Sequence, residues 1–268
     1  MSRPRLIVTD LDGTFLGSDR QVSATNLAAA RRAAELGVPF VVATGRPVRW
    51  LDVLDQLAEA HSQVIVSNGA AVFDLASRKV VRSFSLDVAA ALAVADDLRA
   101  VVPGITFGFE SATGFGCEPT SPSRQLGAPG VMEGQLEEVA ERLGPVIKLL
   151  GFHTGLDSDE LSARAAAVVG DRLTLTYAMV GDAYGMIELT APGVTKASTL
   201  ALLCAELGVD AADVVAFGDM PNDLAMLAWA GRGYVVANGH CTLLAAGFTV
   251  VPANDDDGVG HTVLQLLS

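Results

Sequence analysis

The sequence predicts an α/β protein in which a parallel-sheet core is interrupted by an inserted α+β domain. Short apolar runs without alternation, separated by helical patterns, fill the first and last thirds of the chain, as strands buried on both faces require. Between about residues 85 and 189 the order changes to paired strands interleaved with helices. Four short polar segments stand at the ends of the expected core strands.

Residues 5–9 read as a strand and 23–36 as a helix, with Ser23 as its N-cap and Gly37 just past its end. "VPFVVAT" at 38–44 is the second strand, 48–60 a helix, and "QVIVSNG" at 63–69 the third strand. "AAVFDLASRKVVRSF" at 70–84 reads as a hairpin around a polar turn. The insertion follows as helix 87–101, strands 105–109 and 113–117, and a Pro/Gly/Ser-rich loop at 119–130. It continues as helix 133–143, strand 145–152, helix 158–169 and strands 171–177 and 183–189. After "APGVTK" the βα rhythm resumes with helix 196–207, strand 213–217, helix 222–230, strand 233–236, helix 240–246, strand 248–251 and a helix from 258. The outer thirds should fold together, so the expected domains are 1–84 plus 190–268, and 85–189.

Half of the 268 residues are apolar, but much of that is alanine. The longest apolar stretches, such as "VAAALAVA" at 88–95 between Asp87 and Asp96, fall well short of the roughly 18–20 residues of a spanning helix. The N-terminus runs from arginines into a strand with no signal-peptide h-region, so a cytoplasmic protein without a membrane partner is expected. A net charge of -13 and the lack of a Lys/Arg cluster argue against a nucleic-acid partner. Lysine occurs only at 79, 148 and 196. Cys117, Cys204 and Cys241 lack metal-ligand spacing and read as reduced structural thiols; His61, His153, His240 and His261 are scattered likewise.

The four strand-end segments are "DLDGT" (10–14), "TGR" (44–46), "SNGA" (67–70) and "GDMPND" (218–223). Parallel strands would bring them to one rim, where open α/β sheets bind ligands. Asp10 and Asp12 at the tip of a buried strand repel one another and lose hydration, so a cation is needed there. Asp10, Asp12 and Asp219 offer hard oxygens suited to Mg²⁺, which leaves positions for water and a phosphate. One carboxylate can then act as nucleophile, and its neighbour two residues on, on the same side of the strand, as acid and base. Thr44 and loop amides can hold phosphate oxygens, and Lys196 adds a point charge. Asn222 and Asp223 follow Pro221 at a helix start, where amides favour anions.

DLDGT, the Thr-Gly-Arg strand end, the lone lysine of "GVTKASTL" and "FGDMPNDLAML", in that order and with a large insertion after the second, resemble the haloacid dehalogenase (HAD) superfamily. Within it the chain resembles the Cof-type, class IIB phosphatases over essentially its full length. The resemblance implies a Rossmann-like core with an inserted C2B-type α/β cap. It implies Asp10 as nucleophile and Mg²⁺ ligand, and Asp12 as general acid/base that binds metal through its main-chain carbonyl. It implies Asp219 as a metal ligand with Asp223, directly or through water. The Leu11 amide, Thr44, Gly45, Lys196 and Asn222 would surround the phosphate, and Arg46 would brace the loop.

Other readings stay open at this level. A response-regulator receiver shares an Asp-rich strand end but is about half as long. Asn68 fits either a tight left-handed turn or a supporting role near the substrate. "NDDDG" at 254–258 fits a segment near the rim or a solvated helix cap, and Lys148 and Glu188 read as structural or as cap-core interface residues. The expected activity is hydrolysis of a small phosphorylated metabolite, with a sugar phosphate the usual first guess for this family and flavin or pyridoxal phosphates accepted by related caps. The alternatives are a sugar phosphomutase or phosphotransferase, and a non-catalytic phosphate-ligand sensor. Nothing in the sequence bears on oligomeric state.

Overall fold

In the computed structural model, which describes residues 3–57, 62–125, 130–177 and 184–268, the run LIVT forms β1 (Leu6–Thr9), buried at all four positions. It opens into a wide turn over Leu11–Phe15, closed by the Leu16 N–H donating to the Leu11 carbonyl. α1 (Ala24–Glu35) starts where the Ser23 hydroxyl accepts from the Asn26 N–H at 3.0 Å. Gly37, at φ 68°, turns the chain back. β2 (Phe40–Ala43) and β3 (Gln63–Val66) lie parallel to β1.

The expected helix at 48–60 is instead two 3₁₀ turns, Val48–Trp50 and Asp52–Leu57, and residues 58–61, including His61, lie outside the described ones. The branched and aromatic residues Val48 and Trp50 are weak helix formers. An Arg46 N–H also takes the Trp50 carbonyl at 3.0 Å, diverting an acceptor from a helical ladder. β3 ends three residues before the expected boundary because Ser67, Asn68 and Gly69 all turn left-handed, at φ 49°, 57° and 99°. β4 (Ala71–Asp74) then runs antiparallel to β3, and β5 (Lys79–Ser83) forms the half-exposed edge.

The middle of the chain builds a second sheet. α2 (Val88–Val101) is capped by Asp87 and followed by β6 (Thr106–Ser111) and β7 (Phe115–Cys117). A 3₁₀ turn, Pro122–Gln125, lies in the expected loop, whose residues 126–129 are outside the described ones. The expected helix start at 133 is corrected by a two-residue strand, β8 (Met132–Glu133), parallel to β7. The Gly134 N–H donates to the Cys117 carbonyl and holds this stretch extended, so α3 begins later (Leu136–Leu143). β9 (Val146–His153), α4 (Ser158–Val169, capped by Asp157), β10 (Thr174–Thr176) and β11 (Gly185–Thr190) complete the sheet in the order β10-β11-β9-β6-β7-β8. Strand alternation sends Phe107, Phe109, Leu149, Ile187 and Leu189 into a core with residues of α2, α3 and α4. Leu150, Phe152 and Met186 go to the opposite face with Phe115 and Cys117.

α5 (Lys196–Leu207) opens on a capping box of Thr195 with Ser198 and stops at Gly208 in the left-handed region. β12 (Val214–Gly218), α6 (Leu224–Trp229), β13 (Arg232–Val236), α7 (Cys241–Leu244), β14 (Thr249–Val251) and α8 (Gly258–Leu266) follow. β12 pairs with β1 in parallel, Leu6 opposite Val214 and Thr9 opposite Phe217. The first sheet therefore runs β14-β13-β12-β1-β2-β3-β4-β5, parallel from β14 to β3. Leu6, Val8, Val41, Ala43, Ile65 and Ala216 pack with Leu200 and Leu203 of α5 on one of its faces.

Two compact units result, one of residues up to Arg82 and from Thr195, the other Ser83–Val194. No helix among the described residues is long and apolar enough to cross a membrane. Cys117 and Cys204 are buried, whereas Cys241, expected to be structural, is exposed.

Candidate active site

Parallel pairing of β1 with β12 and β2 brings their carboxyl ends to one edge. The Asp10 N–H donates to the Phe217 carbonyl at 2.9 Å, which sets Asp10 beside the turn carrying Asp219. At the next strand end the Thr44 N–H donates to the Ile65 carbonyl. Lys196, the first residue of α5, is held there by the Thr195 cap.

Lys196 is wholly buried, and a buried ammonium requires charged partners. Its Nζ donates to Asp10 Oδ1 at 2.5 Å and to Asp223 Oδ1 at 2.7 Å. Asp223 Oδ2 accepts from the Asp219 and Met220 N–H groups, each at 3.1 Å, so both of its oxygens have protein partners. Asp219 Oδ1 accepts from the Thr14 hydroxyl at 2.9 Å. One oxygen from each of Asp10, Asp219 and Asp223 lies within 4.8 Å of the others. Beside them Gly13, at φ 75°, leaves a space that a Cβ would fill, overlapping Asp219 Oδ2.

Charge in this cluster is out of balance. Burial pushes the Asp10 carboxyl up to about 7, against the pull of Lys196 and with Asp223 adding to the rise. Burial, then the negative charges of Asp10 and Asp223, push Asp219 up to about 9. Burial works to lower Lys196, but Asp10 and Asp223 outweigh it and hold the ammonium above its usual range. Three buried carboxylates around one ammonium, with an open cradle at Gly13, fit a divalent cation with oxygen ligands.

Asp12 stands outside this cluster. Its two oxygens accept from Arg46, Oδ2 from Nε at 2.7 Å and Oδ1 from Nη2 at 2.6 Å. The Arg46 backbone N–H donates to the Thr44 hydroxyl, and its carbonyl accepts from the Ser67 N–H. Asn68, buried in the left-handed turn, donates its N–H to the Thr44 carbonyl and accepts from Asn222 Nδ2 at 3.0 Å. Asn222 Oδ1 is buried without a hydrogen-bond partner among the described residues. Leu11 is buried at the start of the turn, and Gly45 is half-buried beside Thr44. The structure thus brings the sequence-selected residues to one edge, as two linked sets. Asp10, Lys196, Asp223 and Asp219 form one; Asp12, Arg46, Thr44, Asn68 and Asn222 form the other.

Sequence reasoning missed three supports. Thr14, inside DLDGT, is one, its hydroxyl donating to Asp219. Asn238 follows β13, a fifth strand end, and its Nδ2 donates to the Gly13 carbonyl at 2.7 Å. Asn254 is buried, its N–H donating to Asn238 Oδ1 and its Nδ2 to the Leu16 carbonyl, each at 2.9 Å. "NDDDG" thus supports the first turn through Asn254 and the segment after it through Asp255, whose Oδ1 accepts from the Ser18 N–H at 2.7 Å, while Asp256 is exposed. Applying the strand-end rule to β13 and β14 would have found both asparagines. Elsewhere, Lys148 forms a buried ion cluster with Glu188 at 2.6 Å and Glu110 at 3.4 Å, and His240 caps α7.

Residues 7–263 match the family model of the haloacid dehalogenase-like hydrolases. The chain belongs to this family. It is 29% identical to YxeH of Bacillus subtilis over 272 residues, covering 98% of each chain. It is 26% identical over 277 residues to the 5-amino-6-(5-phospho-D-ribitylamino)uracil phosphatase YitU of Bacillus subtilis, covering 100% of this chain and 99% of that one. Among solved structures, the HAD subclass IIB sugar phosphatase BT4131 superposes with a TM-score of 0.81 at 18% identity, covering 97% of this chain and 98% of that one. The phosphatase BT1666 of Bacteroides thetaiotaomicron gives 0.81 at 21% identity, covering 98% and 95%. The α/β fold of this haloacid dehalogenase-like hydrolase is therefore that of the subclass IIB members.

Proposed function

We propose that this hydrolase is a Mg²⁺-dependent phosphomonoesterase of the cytoplasm that acts on a small phosphorylated metabolite through an aspartyl-phosphate. The observation that carries the reading is the division of labour between two neighbouring aspartates. Asp10 is buried against Lys196 beside Asp219, whereas Asp12 is half exposed and outside the cluster. In this reading an Asp10 oxygen attacks phosphorus and the bond to the leaving alcohol breaks, its oxygen taking a proton from Asp12. Asp12 then takes a proton from water as that water attacks the same phosphorus, freeing Asp10 and inorganic phosphate. Lys196, the Leu11 amide, Thr44, Gly45 and Asn222 hold the phosphate oxygens, Asn222 through its Nδ2 donor, while its Oδ1, without a partner among the described residues, can only accept, as from a water or a substrate hydroxyl.

Asp10 and Asp219, with the Asp12 carbonyl, would hold Mg²⁺, which supplies charge neutralisation to the cluster and the phosphate. Asp223 is committed to Lys196 and two amides, which favours its acting through water. Residues 1–84 and 190–268 are read as the catalytic core, and 85–189 as the cap that selects the leaving group. The names of YitU and BT4131, a phosphoribitylamino-uracil phosphatase and a sugar phosphatase, support a phosphorylated sugar or polyol here.

Phosphate release from a panel of sugar, nucleotide and cofactor monophosphates, with Mg²⁺ or with EDTA, tests this. Metal-dependent release lost in Asp10→Asn is expected, and a fully active Asp10→Asn protein would sink the mechanism. An isomerised sugar phosphate in place of free phosphate would move the reading to a mutase.

A further inference from the structure

We propose that Arg46 is the positioning residue that holds Asp12 for proton transfer to and from the leaving oxygen. The inference rests on Asp12 being the general acid/base of the reaction above. Arg46 has a side chain only 17% exposed, whereas that of Asp12 is 50% exposed. Two of its fork donors, Nε and Nη2, meet the two Asp12 oxygens at 2.7 and 2.6 Å, while Nη1 donates to the Trp50 carbonyl at 3.0 Å. Its backbone is tied as well, the N–H to Thr44 Oγ1 and the carbonyl to the Ser67 N–H. The guanidinium is fixed at both ends, so the carboxylate it grips is fixed too.

A brace for the loop needs only the Trp50 bond and the two backbone bonds. It does not need the remaining fork on a carboxylate 34 residues away in sequence. An unheld aspartate at a half-exposed site would sample several staggered rotamers. General acid catalysis demands that one of them lie within hydrogen-bond reach of the reacting oxygen. The fork selects that rotamer and stabilises the charge that appears on Asp12. As the bond from phosphorus to the leaving oxygen breaks and the Asp10–phosphorus bond forms, the Asp12 proton passes to the departing oxygen. Negative charge then develops on a carboxylate already facing two N–H donors that need no reorganisation. When Asp12 later takes the proton of the attacking water, the same fork keeps it in place.

This role depends on the leaving group, whereas a structural role does not. An alcohol leaving from a sugar phosphate needs a proton as it departs, and the acidic phenol of p-nitrophenyl phosphate needs little help. Measured as kcat/KM, which reports the step that expels the leaving group, Arg46→Ala should cost roughly 10²-fold on a sugar phosphate, within the usual reach of general acid catalysis. The loss on p-nitrophenyl phosphate should be at least about ten-fold smaller. Arg46→Lys keeps a charge without the planar fork. It should show the same split at smaller size, and it carries the test if Arg46→Ala does not fold. A parent enzyme that turns over both esters, with equal losses on both in the variants, overturns the role of Arg46 alone. A parent enzyme that releases phosphate from neither ester overturns the functional reading and this inference with it.

Discussion

The Lys196 ammonium sits between two strand ends, 2.5 Å from Asp10 Oδ1 and 2.7 Å from Asp223 Oδ1. It is the positive group that lets these carboxylates be buried together. Removing one partner of a buried charge set costs about 3–5 kcal/mol, because the remaining charges stay buried and uncompensated. Lys196→Met should therefore lower unfolding free energy by about that amount in chemical denaturation. It should also lower phosphate release by roughly 10²–10³-fold, the usual cost of one preorganised donor. A stable and active Lys196→Met protein would contradict both roles.

The raised Asp10 and Asp219 carboxyls make a prediction for pH. Both titrate above the ordinary carboxylate value of 3.8, near 7 and 9, so the folded metal-free chain holds protons that the unfolded chain has released. Stability from these groups is present below about 4 and is lost as pH rises through the folded values. In EDTA, Tm should thus be lower at pH 8 than at pH 5.5. On the proposed reading Mg²⁺ would bind the folded state and compete with those protons, so its stabilising shift should be larger at pH 8. Thermal melts at both pH values, with and without Mg²⁺, check this; an equal or larger shift at pH 5.5 would count against the cluster as the cation site.

Gly13 tests the cradle. At φ 75° a non-glycine residue is strained, and its Cβ would overlap Asp219 Oδ2. Gly13→Ala should stay folded with a modest fall in Tm, about 1–2 kcal/mol of backbone strain. Its Mg²⁺-induced Tm shift should nearly vanish and kcat/KM should fall roughly 10²-fold, as small misplacements near reacting atoms do. An unchanged Mg²⁺ response would separate Gly13 from metal binding.

Asn254 joins the turn after β14 to the turn after β1 through Asn238 and Leu16. Asn254→Ala leaves the buried Leu16 carbonyl without this donor, at a cost of about 1–3 kcal/mol. Since Asn238 also binds the Gly13 carbonyl, activity should fall by more than the stability loss explains. Hydrogen exchange at residues 11–16 should speed up in the variant and stay slow in α1. Uniform exchange throughout would show Asn254 to be ordinary packing.

Most helix boundaries were legible because their signals are local. Ser23, Asp87, Asp157 and Thr195 cap their helices by side-chain bonds to nearby N–H groups, and Gly37 and Gly208 take the left-handed φ that ends them. The two misreadings have different causes. The 48–57 stretch breaks into 3₁₀ turns where the Arg46 side chain, four residues away, takes the Trp50 carbonyl, a side-chain bond that helical periodicity does not announce. Met132–Glu133 becomes a strand because β7 lies beside it, a partner outside any local window.

By itself the sequence determined the alternation of buried strands with helices, and the residue types that stand at the strand ends. Those follow from periodicity, capping and turn chemistry within a few residues of each position. Only the tertiary structure decided which of these residues meet. The parallel register of β1 with β12 sets Asp10 beside Asp219, and the start of α5 delivers Lys196 between Asp10 and Asp223. It also left the Asp12 carboxylate outside the buried cluster and in the fork of Arg46. Such pairings depend on strand order and loop closure over tens to hundreds of residues, and the charges they bury together take their proton affinities from that burial.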